Sequence, residues 1–149
     1  MSSTTRQTLL SAAEQFCSAF ASQSPPSEIL EKHFTSKTND IIVLEHGLSR
    51  LAPFLGREYK GKDGVLEYMK TIADQLSFED MKFGNYIVDT ETQKVSVTGQ
   101  ARFTNNKTGQ GWDEVFTYVL EFDQEEKVKK YEIWADSGAA YLAGRGELK

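Results

Sequence analysis

The sequence predicts an α+β fold, with three helices packed on one face of a curved, mainly antiparallel sheet. Three observations carry this expectation. Apolar residues recur at helical spacing through the first half, interrupted by one strand-like run. After Leu76 the apolar period switches to two. No repeat, low-complexity tract or linker divides the 149 residues, so a single domain spanning 1–149 is expected.

The elements follow in order. Leu9, Ala13, Phe16, Cys17 and Phe20 lie at helical spacing and predict an amphipathic helix from Thr5 to Ser22. Ser24-Pro25-Pro26-Ser27 ends it and starts a second, short helix carrying Ile29, Leu30 and Phe34, with serine as the cap and proline in the first turn. Asp40 to His46 reads as a buried strand. Gly47 to Lys60 is a loop rich in large apolar side chains (Leu48, Leu51, Phe54, Leu55, Tyr59), which implies that it covers something. Val65, Met69, Ile72 and Leu76 form the stripe of a third helix. Met81, Phe83 and Ile87 then alternate along one strand, and Val95, Val97, Gly99, Ala101 and Phe103 along the next. The chain closes with a long hairpin, Gly111 to Ala140, turning at the charged run Asp123 to Lys130.

The register of that hairpin decides which carboxylates face inward. Glu114 shares strand parity with Trp112, Phe116, Tyr118, Leu120 and Phe122, and a carboxylate on an apolar face must be paired, hydrogen-bonded or neutral. If Phe122 opposes Lys127, Asp113 faces Asp136, and Tyr131 and Ile133 turn inward. One bulged residue instead sets Glu114 opposite Asp136 and Phe116 opposite Trp134. The bulged register is preferred, since bulges recur where curved sheets re-aim side chains near sites, but which of Asp113 and Glu114 lies inside stays open.

Composition excludes several function classes. Net charge is −5 with no basic run, which argues against nucleic acid as a partner. No stretch reaches the length of a membrane span, and the spaced apolar residues of the N-terminus do not form a signal peptide, so a cytoplasmic location is expected. The lone Cys17 makes no disulfide framework and lies on a helix stripe. Asn106-Lys107-Thr108 fits the glycosylation triplet but reads as a turn. There is no HExxH or Cys/His pairing for a metal, no GxSxG elbow, and Gly61-Lys62-Asp63-Gly64 lacks phosphate-loop spacing; no metal and no cofactor are expected.

Three segments carry a family resemblance: Glu45-His46-Gly47, FLGREYKGKDGVLEYM at Phe54 to Met69, and EFDQEEKVKKYEIWAD ending in Asp136. With the element order, the chain resembles the nuclear transport factor 2-like superfamily over nearly its whole length. Within it the chain is similar to the SnoaL-like group, and to the small cyclases and isomerases of fungal secondary metabolism. The resemblance implies a cone of curved sheet enclosing a pocket, and a homodimer is common in such proteins. Here the dimer would use the polar outer face, including Thr98, Gln100, Arg102, Thr117 and Glu121.

Inside such a pocket two carboxylates cannot both ionise cheaply, so one keeps its proton near neutral pH and the pair supplies an acid and a base. Asp136, Glu114 and His46 are the candidate catalytic residues. Asp136 or His46 would take a proton beside a carbonyl, and neutral Glu114 would hold the developing oxyanion. His46 shares parity with Ile42 and Leu44, read as inward, and Glu45 is then outward. The plainer alternatives are a solvated strand-end Asp136 and a backbone-bonded His46. Trp112, Trp134, Phe116, Tyr118, Phe54 and Tyr59 are the candidate substrate-binding residues. Tyr59 and Tyr68 are within reach of the cavity mouth as hydroxyl donors, an alternative to Glu114 at the oxyanion, but lid or helix packing is the preferred reading for both; His33 reads as a surface or capping residue. The expected function is a cofactor-independent cyclase or isomerase acting by acid–base chemistry on a hydrophobic, carbonyl-bearing polyketide or terpenoid intermediate. The alternatives are a non-catalytic small-molecule-binding cavity and a dimerisation module.

Overall fold

The computed structural model describes residues 5–149; residues 1–4, part of the segment read above as no signal peptide, lie outside them. Helix α1 (Arg6–Ala21) opens with a reciprocal cap: the Thr5 hydroxyl accepts from the Thr8 amide, and the Thr8 hydroxyl accepts from the Thr5 amide. Its buried stripe is Leu9, Ala13, Phe16 and Cys17, as the spacing predicts. Helix α2 (Pro26–His33) starts at a proline without the expected serine cap, and buries Ile29 and Leu30.

Strand β1 (Ile42–His46) follows a short 3-10 turn. The apolar loop after it contains a second such turn and a two-residue strand, β2 (Tyr59–Lys60), that the sequence did not reveal. Helix α3 (Gly61–Gln75) runs directly into β3 (Leu76–Asp89), followed by β4 (Lys94–Asn105), β5 (Gly111–Phe122), β6 (Val128–Trp134) and a fourth helix, α4 (Ser137–Gly144). Three helices were expected; the fourth is built of small residues whose spacing carries no stripe.

The strands form one open sheet in the order β2-β1-β6-β5-β4-β3. Every pairing is antiparallel except β1 with β6, which is parallel. β3 is bulged twice, with Asp80 and Asn85 at positive φ of 56°. Such bulges bend and twist a strand, and the second one reverses parity, so Tyr86 and Val88 turn toward the core and Ile87 faces out. That corrects the inward reading of Ile87.

Parity is also corrected in β1. The parallel pairing sets Val43 opposite Tyr131 and Glu45 opposite Ile133. Tyr131 and Ile133 are buried, so Val43 and Glu45 are buried with them, and Ile42, Leu44 and His46 turn outward. The β5–β6 hairpin starts in the bulged register, with Phe122 opposite Val128, and then skips one more residue, Lys129, to set Glu121 opposite Lys130 and Tyr118 opposite Ile133. Two extra residues restore the parity of an unbulged hairpin while displacing its partners. Tyr131 and Ile133 therefore face in and Trp134 faces out, opposite Thr117 rather than Phe116.

The core sits between the inner sheet face and α1, α2 and α3. Its centre is aromatic: the Phe16 and Tyr131 rings lie 5.1 Å apart, and Tyr118 and Tyr131 4.9 Å, both edge-on, the arrangement aromatic pairs prefer.

Candidate active site

The inner face of the sheet, α3 and the α1–α2 connection enclose a cavity of about 390 Å³. Its walls are mostly apolar, with Met69, Ile72, Phe78, Phe103 and Phe116 prominent. Gly99 makes room for Phe116: a Cβ there would lie 2.3 Å from the phenyl ring.

Two carboxylates face this cavity, Glu45 from β1 and Glu114 from β5. The Tyr68 hydroxyl, on α3, donates to Glu45 Oε1 at 2.6 Å. Burial pushes the Glu45 carboxyl up to about 7; the Tyr68 hydrogen bond opposes that shift and the charge of Glu114 adds to it. Glu114 Oε1 accepts two N–H groups, the Trp112 indole at 2.9 Å and the Asp136 backbone amide at 3.2 Å. Burial raises its pKa too; those two donors hold the rise back, and the Asp136 carboxylate adds to it. Tyr68 is held well above the usual tyrosine range by burial and by the charge of Glu45, so it stays a hydroxyl. Tyr118 and Tyr131, whose hydroxyls are likewise raised by burial, also line the cavity, as do the polar residues Gln23, Ser24 and Ser77.

Of the residues singled out in the sequence, Glu114, Phe116 and Tyr118 line the cavity. The open choice between Asp113 and Glu114 is resolved in favour of Glu114: Asp113 is exposed, beside Arg102 at 3.6 Å. Trp112 is buried behind the wall, stacked on Phe103 and oriented toward Glu114. Tyr59, on β2, and Phe54, within the apolar loop that precedes it, are buried but do not line the cavity. The Tyr59 ring packs edge-on against Tyr68 at 5.3 Å, and its hydroxyl donates to the Phe54 carbonyl.

Three expected site residues lie elsewhere. Asp136 falls beyond the last hairpin pair, and its exposed carboxylate caps α4 by accepting from the Ala139 amide at 2.9 Å. It acts on the site through its backbone N–H, which donates to Glu114, and through the charge of its carboxylate, which raises the Glu114 pKa. His46 points to the outer sheet face, with Nε2 2.8 Å from Glu132 Oε2. Trp134 is on that same face, 41% exposed, and stacks on His46 at 4.2 Å. Sequence reasoning missed Glu45, and for Tyr68 it preferred helix packing to the hydroxyl-donor role that its bond to Glu45 shows. The signal for Glu45 was its alternation with Val43, masked because Ile42 and Leu44 are equally apolar.

Among the described residues, no group of three or more His, Cys, Asp or Glu is placed to hold a metal ion, and no helix is long and apolar enough to cross a membrane.

This architecture is the nuclear transport factor 2-like fold. A protein of that fold and of unknown function from Burkholderia pseudomallei superposes with a TM-score of 0.75 at 14% identity, covering 91% of this chain and 96% of that one. A candidate SnoaL-like polyketide cyclase from Jannaschia gives 0.75 at 11% identity, over 96% and 95%. TerC, crystallised with polyporic acid, gives 0.74 at 14% identity, over 93% and 98%. No protein-family model and no curated protein sequence matches the chain.

Proposed function

We propose that this protein is an acid–base catalyst, a cyclase or isomerase, acting on a hydrophobic carbonyl-bearing small molecule of polyketide or terpenoid type. The observation that carries the reading is the pair Glu45 and Glu114 on one apolar cavity, with burial raising both. Two N–H donors stabilise the anion of Glu114, which suits it to be the base. Glu45, buried in the apolar wall, keeps a proton into the neutral range despite the Tyr68 hydrogen bond, and suits the acid.

The chemistry then balances without a cofactor. A C–H bond beside the substrate carbonyl breaks and its proton passes to Glu114. The electron pair moves into the enolate, whose oxygen takes the proton of Glu45. Glu114 then gives its proton to a different carbon while the enol O–H returns its proton to Glu45, which is an isomerisation; or the enol carbon bonds a second carbonyl carbon, whose oxygen takes the proton from Glu114 as the enol O–H returns its proton to Glu45, which closes a ring. The similar solved proteins include a candidate polyketide cyclase and one crystallised with polyporic acid, consistent with this class of ligand. We place a second protomer, if the protein dimerises, on the outer sheet face, where Ile87, Val115 and Trp134 are exposed.

The test is exchange of the α-protons of 2-tetralone, a hydrophobic ketone, in deuterated water, followed by NMR. Wild type should accelerate exchange, and Glu45→Gln and Glu114→Gln should each lower the rate about a hundred- to ten-thousand-fold. His46→Gln should leave it unchanged. Exchange that survives both glutamine variants would exclude these carboxylates. A cavity that binds the ketone without exchanging it would be a passive carrier. The complete internal satisfaction of both Oε1 atoms is the one observation favouring that second reading.

A further inference from the structure

We infer that the protein carries a second binding site, outside the glutamate cavity and independent of the acid–base reading, that takes a compact one-ring molecule ending in a carboxylate. The site is a cavity of about 200 Å³ between α4, the 51–54 segment and the junction of α3 with β3. An apolar cavity of about 150 Å³ is enough to hold a benzene ring. Leu51, Pro53, Phe54 and Leu76 supply apolar wall, and Leu76 also lines the glutamate cavity, so the two are neighbours. Among the described residues Arg145 is the one charged side chain lining the smaller cavity. The glutamate cavity is the reverse, since its lining charges are both carboxylates.

Asn105 is the residue that points to a ligand. It ends β4 and is only 5% exposed. Its Oδ1 accepts from the backbone amides of Lys107 and Thr108, each at 3.0 Å. Those bonds fix which way the amide is turned, because the flipped group would set its NH2 against two other donors. Nδ2 therefore faces away from the turn, and among the described residues it has no acceptor. A Cβ on Gly144, which lines the same cavity, would lie 3.7 Å from it, so the glycine leaves that side open. An enclosed donor that only water can reach is ready for a ligand oxygen. Arg145 adds the positive charge. Its guanidinium lies over the Tyr141 ring, 5.5 Å from the centroid, and its Nε donates to Glu147, which does not line the cavity. An amide NH2 and a guanidinium beside an apolar wall match a carboxylate, whose oxygens only accept. The frame is held in place: the Thr108 hydroxyl donates to the Ala143 carbonyl at 2.6 Å, and Gln110 Nε2 to that of Gly146 at 3.1 Å. Both bonds tie the end of α4 to the β4–β5 turn.

The test titrates benzoate and its neutral counterpart benzamide by calorimetry near neutral pH, with 2-naphthol as a two-ring probe of the glutamate cavity. Benzoate should bind about tenfold or more tighter than benzamide, since hydrogen bonds to a charged group outweigh those to a neutral one. Arg145→Gln should weaken benzoate about tenfold. Asn105→Asp keeps the Oδ1 that the turn needs and replaces the donor with a carboxylate oxygen, so it should abolish benzoate binding. Gly144→Leu, which fills the cavity from α4, should do the same and decides the matter if Asn105→Asp fails to fold. All three should leave 2-naphthol affinity unchanged. Met69→Trp, which fills the glutamate cavity, should abolish naphthol binding and spare benzoate. The inference is overturned if benzoate does not bind, if benzamide binds as tightly, if Arg145→Gln and Gly144→Leu leave benzoate undiminished, or if Met69→Trp abolishes it. Exchange of the 2-tetralone α-protons tests the glutamate cavity by itself, so either reading can fail without the other.

Discussion

Glu45 and His46 are consecutive in the chain and face opposite sides of the same sheet. Each has an aromatic neighbour and a carboxylate nearby: Tyr68 and Glu114 on the inside, Trp134 and Glu132 on the outside. The residue types would serve acid–base chemistry equally well on either face. Solvent makes the difference. Glu45 is buried in an apolar wall and its carboxyl rises to about 7, whereas His46 and Glu132 meet half-buried on the outer face, where water reaches the pair. A candidate site is therefore identified by which face a side chain reaches, and one step of strand parity is enough to move it from cavity to solvent.

The largest expected effect on stability uses this contrast through pH. Glu45 binds its proton more tightly in the folded protein than in the unfolded chain, since its pKa is about 7 against the ordinary carboxyl value of 4.5. Its contribution is therefore fully present below pH ~4.5 and is lost as the pH rises through about 7. Glu114, also raised, acts in the same direction, while half-buried His33, its pKa lowered by burial, opposes both. The groups facing Glu45 are Tyr68, Glu114, Tyr118 and Tyr131, and the tyrosines do not titrate in this window. Denaturant unfolding should show stability falling between pH ~5 and pH ~8 by on the order of 3 kcal/mol. Glu45→Gln should remove most of that slope, whereas His46→Gln should not. A slope unchanged by Glu45→Gln would mean that the inner carboxylate is solvated like the outer one, and the contrast between the faces would be lost.

How far this contrast can be read from sequence depends on the element. Strand β4 was legible residue by residue, because Val95, Val97, Gly99 and Ala101 alternate with polar partners and all four are buried. The stripe of α1 was legible for the same reason. In β1, Ile41 to Leu44 are apolar on both parities, so only pairing with β6 sets the direction of Glu45. That pairing is parallel and spans 86 residues between His46 and Glu132, beyond the reach of local pattern. The hairpin failed differently: a second bulge at Lys129 depends on backbone geometry rather than on hydrophobicity, and it carried Trp134 and Asp136 off the cavity. A buried acid on the hairpin was readable; its buried partner was not.

A smaller effect is expected at Gly99, where the inner face depends on the absence of a side chain. Alanine there would place its Cβ 2.3 Å from the Phe116 ring, so the ring must swing into the cavity or the strands must part. Overpacking of this kind costs about 1–3 kcal/mol. Gly99→Ala should therefore lower the unfolding midpoint and weaken binding of 2-naphthol together. Gly84, whose Cβ would meet nothing within 4 Å, is the matched control for a glycine in a strand, and alanine there should leave probe binding unchanged. Loss of stability in Gly99→Ala with undiminished naphthol binding would show that Phe116 does not shape the ligand space.

The smallest effect belongs to the outer face. Trp134 lies nearly parallel to His46, at 10° between planes, and its 41% exposure leaves only part of its surface to lose on truncation. Trp134→Ala should therefore cost about 0.5–1.5 kcal/mol, the range of an aromatic pair, with naphthol affinity and α-proton exchange unchanged. The same variant isolates Trp112 as the remaining tryptophan, and its indole donates to Glu114 at 2.9 Å. Naphthol should then still perturb the emission, because the reporting ring is one hydrogen bond from the cavity carboxylate. If the perturbation disappears with Trp134 while calorimetric binding weakens in step, the ligand sits against the outer sheet, and Glu45 and Glu114 would have to be reassigned to the interior packing of the fold.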